Sequence, residues 1–392
     1  MKKEIIVFGP FDRFNYGDLL FPYMIEYAFN KVSNRNDLEF KKYSLVKADL
    51  RDKGGVLSGN FKEMYEEINQ AQISNVIVAG GECLAARWDN LYSYISPRYN
   101  FFRQYDLFRK LFRRIPIAMK LMGSEREFPY VLDSTIFTNQ VNIFYNSVGG
   151  ASPNLEVINR LKKSTYVAVR ETYSYDILRK HQVECRLVPD SAIIMSDVYN
   201  NEKFFAENVV RKHLKNLGNY VFLQVSKYKH ENAIDDIVAQ IKHLSKVNSL
   251  SIVLCPIGTA GGHEDHIPLK EIYDKLNENN VNNVHLVDLP SVMEIMWLIA
   301  NSSLYIGTSL HGIITAMSFG VPYVGLNKSQ VKLKGYVETW GLSGLDQIQD
   351  CNNFYDYANK CLQVPSDEIK MHSDKEKDLY YQHISQIIDL ID

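Results

Sequence analysis

One side chain that titrates near neutral pH, His311, lies in the apolar stretch GTSLHGIITAMSFGVPYVGL, which spans residues 307–326. The preceding run LYIG predicts a strand, and Thr308 and Ser309 can cap the helix that follows. His311 then falls in the first helical turn, where unpaired backbone NH groups carry partial positive charge. This position suits a proton donor or acceptor beside an anionic substrate. A buried histidine that only packs is the alternative interpretation.

Other polar side chains also follow predicted strands. After the first strand, GPFDRFNYGDLL contains Asn15, Gly17 and Asp18, which either face a ligand or form a simple capped turn. Glu82, in AGGECL, follows a glycine pair and either acts on a ligand as a carboxylate or is merely solvated. Arg170 ends a strand in VAVRETYSYD, where it either binds a carboxylate or phosphate or forms a salt bridge.

For two further segments the sequence predicts no catalytic role. Asp190, in VPDSA, is predicted to cap a turn or to connect the domains. The loop CPIGTAGGHEDH contains His263 in a cluster of ionisable side chains, but ligands this close in sequence rarely converge on a metal ion. We therefore predict no metal site and no bound cofactor, and we expect His263 and its loop to contact substrate.

These residues must be positioned by strands that alternate with helical patterns. Such alternation predicts an α/β fold with parallel sheets covered on both faces. The candidate strands are Ile5–Phe8, Val76–Ala79, Pro116–Met119, Asn142–Tyr145, Tyr166–Val169, Tyr220–Val225, Ser251–Cys255, His285–Leu286, Leu304–Ile306 and Tyr323–Gly325.

The composition changes around Ser196–Lys203, SDVYNNEK, where a boundary between two doubly wound, Rossmann-like domains is predicted. Residues 1–200 would form the first domain, on the acceptor side of a cleft, and residues 201–365 the second, on the donor side. Residues 366–392 predict a helix that packs back toward the first domain. Ligands of open parallel sheets bind at the carboxyl ends of the strands, so two such sheets would face a shared cleft there.

Composition excludes several classes of function. The chain has 392 residues and a net charge of −2, which argues against a nucleic-acid binder that relies on a large basic field. Its five cysteines are scattered without a CxxC pair, which fits neither a disulfide framework nor a zinc ribbon and indicates a reducing compartment. No apolar run reaches the length of a membrane span, so a cytoplasmic protein is expected.

Taken in order, five of these motifs resemble the polysaccharide pyruvyl transferase family over nearly the whole chain. The last of them, S-L-H-G-x-I-x-A-x-x-x-G-V-P, is the most specific. The matching segments are Asn15–Tyr16–Gly17–Asp18, Gly80–Gly81, Val169–Arg170–Glu171 with Ser174, Val188–Pro189–Asp190, and Ser309 through Pro322.

The resemblance implies a GT-B-like fold and transfer of pyruvate from phosphoenolpyruvate onto two hydroxyls of one sugar, giving a cyclic ketal and phosphate. It implies that His311 and Arg170 lie around phosphoenolpyruvate. His311 would be the acid, and Asp18 or Glu82 the base. Arg170 and the amides of Gly312 and Ile313 would hold the anion.

The chain departs from the family pattern in one position. Ser309 stands where some members carry an arginine, two residues before the histidine. Another cation must then meet the trianionic donor, and Lys328 and Arg13 are the candidates.

The segment Phe101–Pro116, FFRQYDLFRKLFRRIP, predicts an amphipathic helix with Phe101, Tyr105, Phe108 and Phe112 on one stripe and basic residues around it. Such a helix can lie on an anionic membrane, or it can simply cover a sheet with a solvated basic face. The first interpretation would place the enzyme peripherally on the inner face of the membrane, where a lipid-linked sugar acceptor could reach it.

Two other functions remain open at this point. The same architecture serves glycosyltransferases that use a sugar nucleotide, with the helix start near His311 contacting pyrophosphate. A non-catalytic glycan-binding protein is the alternative outside the enzymes.

Overall fold

The computed structural model describes residues 3–33, 37–103, 105–150, 153–200, 210–230, 232–260 and 263–391. Within these ranges the strands form one sheet of eight strands and one of six. The predicted α/β architecture with two doubly wound sheets is confirmed.

The first sheet has the strand order β3-β4-β2-β1-β5-β6-β7-β8. Its pairs are parallel except for β3 with β4. Its strands are β1 (Lys3–Phe8), β2 (Leu38–Ser44), β3 (Ala48–Asp49), β4 (Leu57–Asn60), β5 (Ile73–Ala79), β6 (Gln140–Val148), β7 (Tyr166–Val169) and β8 (Arg186–Leu187).

The second sheet is parallel throughout, with the order β11-β10-β9-β12-β13-β14. Its central strands are buried on both faces, which is why they read as continuous apolar runs such as YVFL and SIVL. Its strands are β9 (Tyr220–Gln224), β10 (Ser251–Leu254), β11 (Val284–Leu286), β12 (Leu304–Gly307), β13 (Tyr323–Leu326) and β14 (Ile348–Gln349).

Helices connect the strands and cover both faces of each sheet. Those of the first half are α1 (Tyr16–Ser33), α2 (Phe61–Gln70), α3 (Trp88–Ile95), α4 (Pro97–Arg103), α5 (Asp106–Arg114), α6 (Ile117–Leu121), α7 (Leu155–Leu161), α8 (Thr172–Lys180) and α9 (Met195–Val198). Those that follow are α10 (Ile234–Asn248), α11 (His266–Glu278), α12 (Val292–Ala300), α13 (Leu310–Phe319), α14 (Val331–Trp340), α15 (Tyr355–Cys361) and α16 (Ser366–Ile391).

The carboxyl ends of β1 and β10 face each other across the cleft between the sheets. Asn15, after β1, forms an isolated antiparallel bridge with Gly258, after β10. The Tyr16 amide donates to the Ile257 carbonyl at 3.1 Å. Loops that follow the first strand of one sheet and a central strand of the other therefore share one site.

The long helix α16 contacts both halves of the chain. His372 Nε2 lies 2.8 Å from the Trp340 carbonyl on α14, and His383 Nε2 lies 2.8 Å from Asn146 Oδ1 on β6. The domain boundaries at 200 and 365 stay predictions, and residues 201–209 lie outside the described ranges.

Two local predictions were wrong. Pro116–Met119, predicted as a strand, is the start of α6, with Pro116 as the helix N-cap residue. A short apolar run does not distinguish strand from helix, and Ala, Met, Lys and Leu all favour helix. The single helix predicted over Phe101–Pro116 is instead the pair α4 and α5, separated by Tyr105 in an extended conformation.

Candidate active site

A cavity of about 350 Å³ opens between the carboxyl ends of the two sheets, within the size range of small-molecule sites. It brings together most of the residues that the sequence singled out. Those lining it are Arg13, Asn15, Asp18, Glu82, Arg170, His263, Ser309 and His311. Gly17, Gly312 and Lys328 are not among the lining residues.

His311 sits at the start of α13, as the sequence predicts. Ser309 is the N-cap, and its hydroxyl accepts from the Gly312 amide at 3.4 Å. The imidazole meets Phe21 of α1 edge-on, with ring centroids 5.4 Å apart. Nε2 lies 3.6 Å from Asp190 Oδ2. The ring is therefore fixed by α1 on one side and by a carboxylate on the other.

Gly17 has a positioning role rather than a lining one. A Cβ built on Gly17 would lie 1.8 Å from Nδ1 of His311, so α1 can approach the imidazole only because position 17 lacks a side chain. Gly312 is likewise tightly packed, since its Cβ would lie 2.0 Å from the Tyr305 hydroxyl.

The expectation that the Gly312 and Ile313 amides hold the substrate anion is corrected. The Gly312 amide donates to the Ser309 hydroxyl, and the Ile313 amide donates to the Ser309 carbonyl at 3.2 Å. Both donors are used within the helix cap itself.

Asp190 has a larger part in the site than the sequence indicated. It does cap a turn, since its Oδ1 accepts from the Ala192 amide at 2.9 Å, but Oδ2 also faces His311 and Arg170. Burial would raise the pKa of Asp190, but His311 and Arg170 lower it to about 2. A charged carboxylate is thus held directly behind the imidazole.

A bulge near the end of β6 positions that carboxylate. The register of β6 with β7 shifts between Tyr145 and Val148, and Ser147 adopts a φ of 52°. Its hydroxyl then donates to the carbonyls of Val188 and Pro189 at 3.0 and 2.7 Å. The segment leading into Asp190 is therefore fixed from within the sheet.

Arg170 is fully buried and surrounded by carboxylates. It donates to Asp190 at 2.9 Å and to Glu82 at 2.8 Å, and its Nε lies 3.4 Å from Glu171. Burial would lower the pKa of Arg170, but Asp190, Glu82 and Glu171 raise it instead. The salt-bridge interpretation left open by the sequence is thus realised, and the charge of Arg170 is balanced before any substrate binds.

On the first-domain side, Asp18 accepts from Asn15 Nδ2 at 2.7 Å. Burial raises the pKa of Asp18, partly opposed by the charges of His311 and Arg13. Arg13 pairs with Asp12 at 2.8 Å, and its guanidinium lies 4.8 Å from the centre of the Tyr94 ring. A carboxylate with raised basicity and a cation thus share this wall of the cavity.

On the second-domain side, Asp265 organises the loop after β10. Its Oδ2 accepts from Gln224 at 2.8 Å and from the amides of Ile257 and Gly258 at 3.0 Å each. Burial and the nearby Lys229 and other cations lower the pKa of His263 to about 3. His263 is therefore neutral and presents a hydrogen-bonding group rather than a charge.

Two cavity lysines, Lys229 and Lys332, were missed by the sequence reasoning. Neither ammonium has a carboxylate within ion-pair distance in the described part of the chain. Burial and the charge of Lys332 lower the pKa of Lys229 to about 7. Lys332 stands in the first turn of α14, where the helix dipole disfavours a cation. An anionic ligand would relieve both costs.

Lys328, predicted as a replacement cation, does not reach the cavity. Its ammonium pairs with Asp350 at 2.8 Å, and both side chains are exposed. Lys332, four residues further along the chain, is the lysine of this segment that lines the cavity. Lys229 follows strand β9, so the rule that ligands bind after parallel strands points to its loop. The loop reads SKYKH, however, and the sequence alone does not show which of its basic side chains faces the cavity.

The arrangement combines an imidazole, a basic carboxylate and unpaired cations around one cavity. It can move protons beside a bound anion. No group of three or more His, Cys, Asp or Glu side chains suited to a metal ion occurs among the residues described.

Solved structures of similar architecture are UDP-GlcNAc 2-epimerases. That of Rickettsia bellii has a TM-score of 0.54 and 11% identity, covering 99% of this chain and 96% of the other. That of Methanocaldococcus jannaschii has a TM-score of 0.53 and 14% identity, covering 93% and 92%. That of Neisseria meningitidis, bound to UDP-GlcNAc, has a TM-score of 0.50 and 13% identity, covering 96% and 99%. At such identities the likeness concerns the fold alone, and it confirms the GT-B-like arrangement of two Rossmann-like domains.

None of the curated proteins compared with the chain matches it. The family model "Polysaccharide pyruvyl transferase" matches residues 141–329, slightly less than half of the 392 residues. The matched region contains Arg170, Asp190, Lys229 and His311, whereas Asp18 lies outside it. The predicted resemblance to the polysaccharide pyruvyl transferase family is therefore confirmed over residues 141–329, and this match indicates a pyruvyltransferase.

Proposed function

We propose that the protein transfers pyruvate from phosphoenolpyruvate onto two hydroxyls of one sugar in a polysaccharide precursor, forming a cyclic ketal and releasing phosphate. The observation that carries the proposal is that two lysines without an ion-pair partner among the described residues, Lys229 and Lys332, line the same cavity as His311. A small substrate with several negative charges matches this site, because it neutralises two lysines that form no ion pair with a carboxylate within the described residues.

The lysines take the place that the sequence assigned to Arg170 and Lys328. Arg170 is already balanced by Asp190, Glu82 and Glu171, so it contributes structure around His311 more than free charge. Lys229 and Lys332 then supply the cations for the carboxylate and phosphate of the donor, and Arg13, which also pairs with Asp12, lies beside them.

His311 is the proposed acid. A proton from the imidazole adds to the methylene carbon of phosphoenolpyruvate, and the adjacent C2 becomes oxocarbenium-like. The carboxylate of Asp190, 3.6 Å from Nε2, stabilises the protonated imidazole that this step requires. One sugar hydroxyl then bonds to C2 and loses its proton.

In the second half of the reaction the C2–O bond to phosphate breaks, and the second hydroxyl attacks C2 to close the ring. The two hydroxyl protons end on the new methyl group and on phosphate, so the reaction needs no external oxidant or reductant. Asp18 is the better placed base, because burial raises its pKa whereas Glu82 is engaged by Arg170.

The test is incubation of the protein with phosphoenolpyruvate and a panel of sugar acceptors, including lipid-linked glycans. Acceptor-dependent phosphate release, together with an acceptor mass raised by one pyruvyl ketal, is the expected result. Parallel incubation with sugar nucleotides covers the glycosyltransferase alternative. Nucleotide release without turnover of phosphoenolpyruvate would replace the proposal by that alternative, and glycan binding without any turnover would replace it by a binding function.

A further inference from the structure

Helices α4 and α5 expose an unusual amount of apolar surface. Leu107 is 77% exposed, Phe101 55% and Tyr105 54%, and the neighbouring Leu111 and Ile115 are exposed as well. Monomeric proteins seldom leave large apolar side chains contiguous at their surface without a partner. On α5 the exposed stripe runs through residues 107, 111 and 115, four residues apart.

Half of the stripe that the sequence predicted is exposed: Phe101 and Tyr105 face outward, whereas Phe108 and Phe112 are partly buried. Phe112 stacks on the buried Tyr99 with ring centroids 4.4 Å apart, and Phe108 lies between Phe102 and Phe112. These rings attach α5 to α4 and the domain. The outward stripe is therefore held on a packed hairpin of helices.

Basic residues surround this apolar stripe. Residues 97–115 contain six basic residues and one acidic residue, in a chain whose net charge is −2. Arg98, Arg109, Lys110 and Arg114 are exposed. An apolar stripe bordered by cations is the pattern of helices that lie in the interface of an anionic bilayer.

This surface adjoins the cavity. Helix α3, which directly precedes α4, contributes Asn90, Leu91 and Tyr94 to the cavity lining. Arg103 of α4 donates a hydrogen bond to Asn90. A molecule anchored at α4 and α5 would thus have its polar part within reach of the cavity.

From these contacts we infer that the α4–α5 surface docks on an anionic lipid bilayer. We define this surface as the exposed side chains Arg98, Phe101, Phe102, Tyr105, Leu107, Arg109, Lys110, Leu111, Arg114 and Ile115. No helix among the described residues is both long and apolar enough to cross a bilayer, so the contact is interfacial. A second copy of the chain fits less well, because a two-fold interface would place like charges against each other.

The test is co-sedimentation of the full chain with vesicles of phosphatidylcholine alone and with phosphatidylserine or phosphatidylglycerol added. Salt-sensitive binding to the anionic vesicles is expected. The triple variant Arg109→Glu, Lys110→Glu, Arg114→Glu should weaken this binding more than tenfold, since each cation near an anionic surface changes partitioning about fivefold.

A second variant separates insertion from charge. Leu107→Ser, Leu111→Ser, Ile115→Ser keeps every charge and should also reduce binding more than tenfold, because it removes the inserted side chains. The matched control is Lys162→Glu, Lys163→Glu, Lys180→Glu, which reverses three exposed cations elsewhere and should bind as the wild type does. Circular dichroism checks that each variant is folded.

Equal binding to neutral and anionic vesicles, or binding that survives both triple variants, would overturn the inference. So would an oligomer in solution that the serine variant dissociates while vesicles bind no protein. Phosphate release with a water-soluble acceptor should be the same in wild type and variants. The docking surface and the proposed chemistry can therefore fail separately.

Discussion

At the level of single residues, the proposed chemistry depends on two cavity lysines, Lys229 and Lys332, that form no ion pair with the described carboxylates. Lys229 is held close to another lysine, and burial together with that neighbour lowers its pKa to about 7. By contrast, Arg170 is fully compensated by carboxylates and remains charged. The charge on Lys229 favours binding of an anionic ligand, whereas the ion pairs of Arg170 favour a rigid site.

Replacing either unpaired lysine should weaken donor binding. Lys229→Met and Lys332→Met are each expected to raise the KM for phosphoenolpyruvate about 10- to 100-fold, the range for loss of one charge-assisted hydrogen bond. Lys328→Met is the matched control, since this lysine pairs with Asp350 outside the cavity. An effect of Lys328→Met equal to that of Lys332→Met, measured by phosphate release, would contradict the placement.

The lowered pKa of Lys229 also predicts a stability effect. Between about pH 7 and the ordinary value of 10.5, the unfolded chain binds one more proton here than the folded chain, so stability rises with pH. At pH 7 and below, the folded state bears the cost of the buried charge. Lys229→Met should therefore stabilise the apo protein by ~1–3 kcal/mol at pH 6–7, and less at pH 10, in urea unfolding.

The same group sets a pH dependence of activity. As pH rises above about 7, Lys229 loses its proton, and the KM for phosphoenolpyruvate should increase. This part of the profile should be missing in Lys229→Met. A wild-type and a variant profile of identical shape would assign the dependence to another group.

In the proposed reaction, proton transfer depends on His311. His311→Ala should reduce phosphate release from phosphoenolpyruvate by about 10²- to 10⁴-fold, the usual contribution of a positioned general acid. His285→Ala, on the exposed face of β11, serves as the control and should retain activity. Most of the activity surviving in His311→Ala would remove the imidazole from the mechanism.

At the scale of elements, the site depends on how closely α1 approaches α13. Tyr16 of α1 hydrogen-bonds Thr315 of α13 at 2.9 Å, and Gly17 leaves the space that the His311 ring fills. Gly17 is the second residue of α1, and the side chain that it lacks is what leaves room for the imidazole.

Gly17→Ala should therefore lower activity. The added Cβ would displace the imidazole from Asp190, and we expect at least a ~100-fold loss of phosphate release, as for other displaced catalytic groups. Gly335→Ala on α14 is the matched control, since its Cβ would meet Glu171 only at 3.6 Å. That variant should keep its activity and gain ~0.5–1 kcal/mol of stability. Full activity of Gly17→Ala would mean that the ring moves without consequence.

At the level of the whole molecule, α16 contacts both halves of the chain, with His372 near the Trp340 carbonyl of α14 and its later residues against the first sheet. Tyr380 and His383 hydrogen-bond Asn146 on β6, and Tyr166 of β7 lies 3.0 Å from His383 Nδ1. Burial and the nearby Arg186 lower the pKa of His383 to about 3. The contact between α16 and the first sheet therefore contains a histidine, His383, that is neutral in the folded protein.

Low pH should lower the stability of the folded protein through His383. Between pH 6.5 and about 3 the unfolded chain binds a proton at His383 that the folded chain does not, so stability falls as pH falls through that window. From pH 6.5 to 5 this one group contributes a loss of ~2 kcal/mol. His383→Gln should flatten the dependence by that amount in urea unfolding, whereas His243→Gln, on an exposed face of α10, should leave it unchanged. An unaltered slope in His383→Gln would contradict the prediction.

Much of the fold could be predicted from the sequence, because apolar runs that alternate with helical patterns have few other solutions than parallel sheets. The strands β7 and β13 match their predicted positions closely. The partly exposed strand β2 was missed, since LEFKKYS carries too much charge to resemble a buried strand. The strand predicted at Pro116–Met119 was wrong for a different reason, because local hydrophobicity alone does not distinguish a strand from a helix.

The α/β class, the position of His311 at a helix start and a site at the strand ends could all be inferred from the order of residues alone, since each follows from local patterns or from the rule for parallel sheets. The charge balance of the cavity could not be inferred in this way. Arg170 and Lys328 are paired by carboxylates distant in sequence, whereas Lys229 and Lys332 line the same cavity without such a partner among the residues that the structure describes. Charge balance depends on distances of a few ångströms between segments that folding brings together, and no local pattern records those distances.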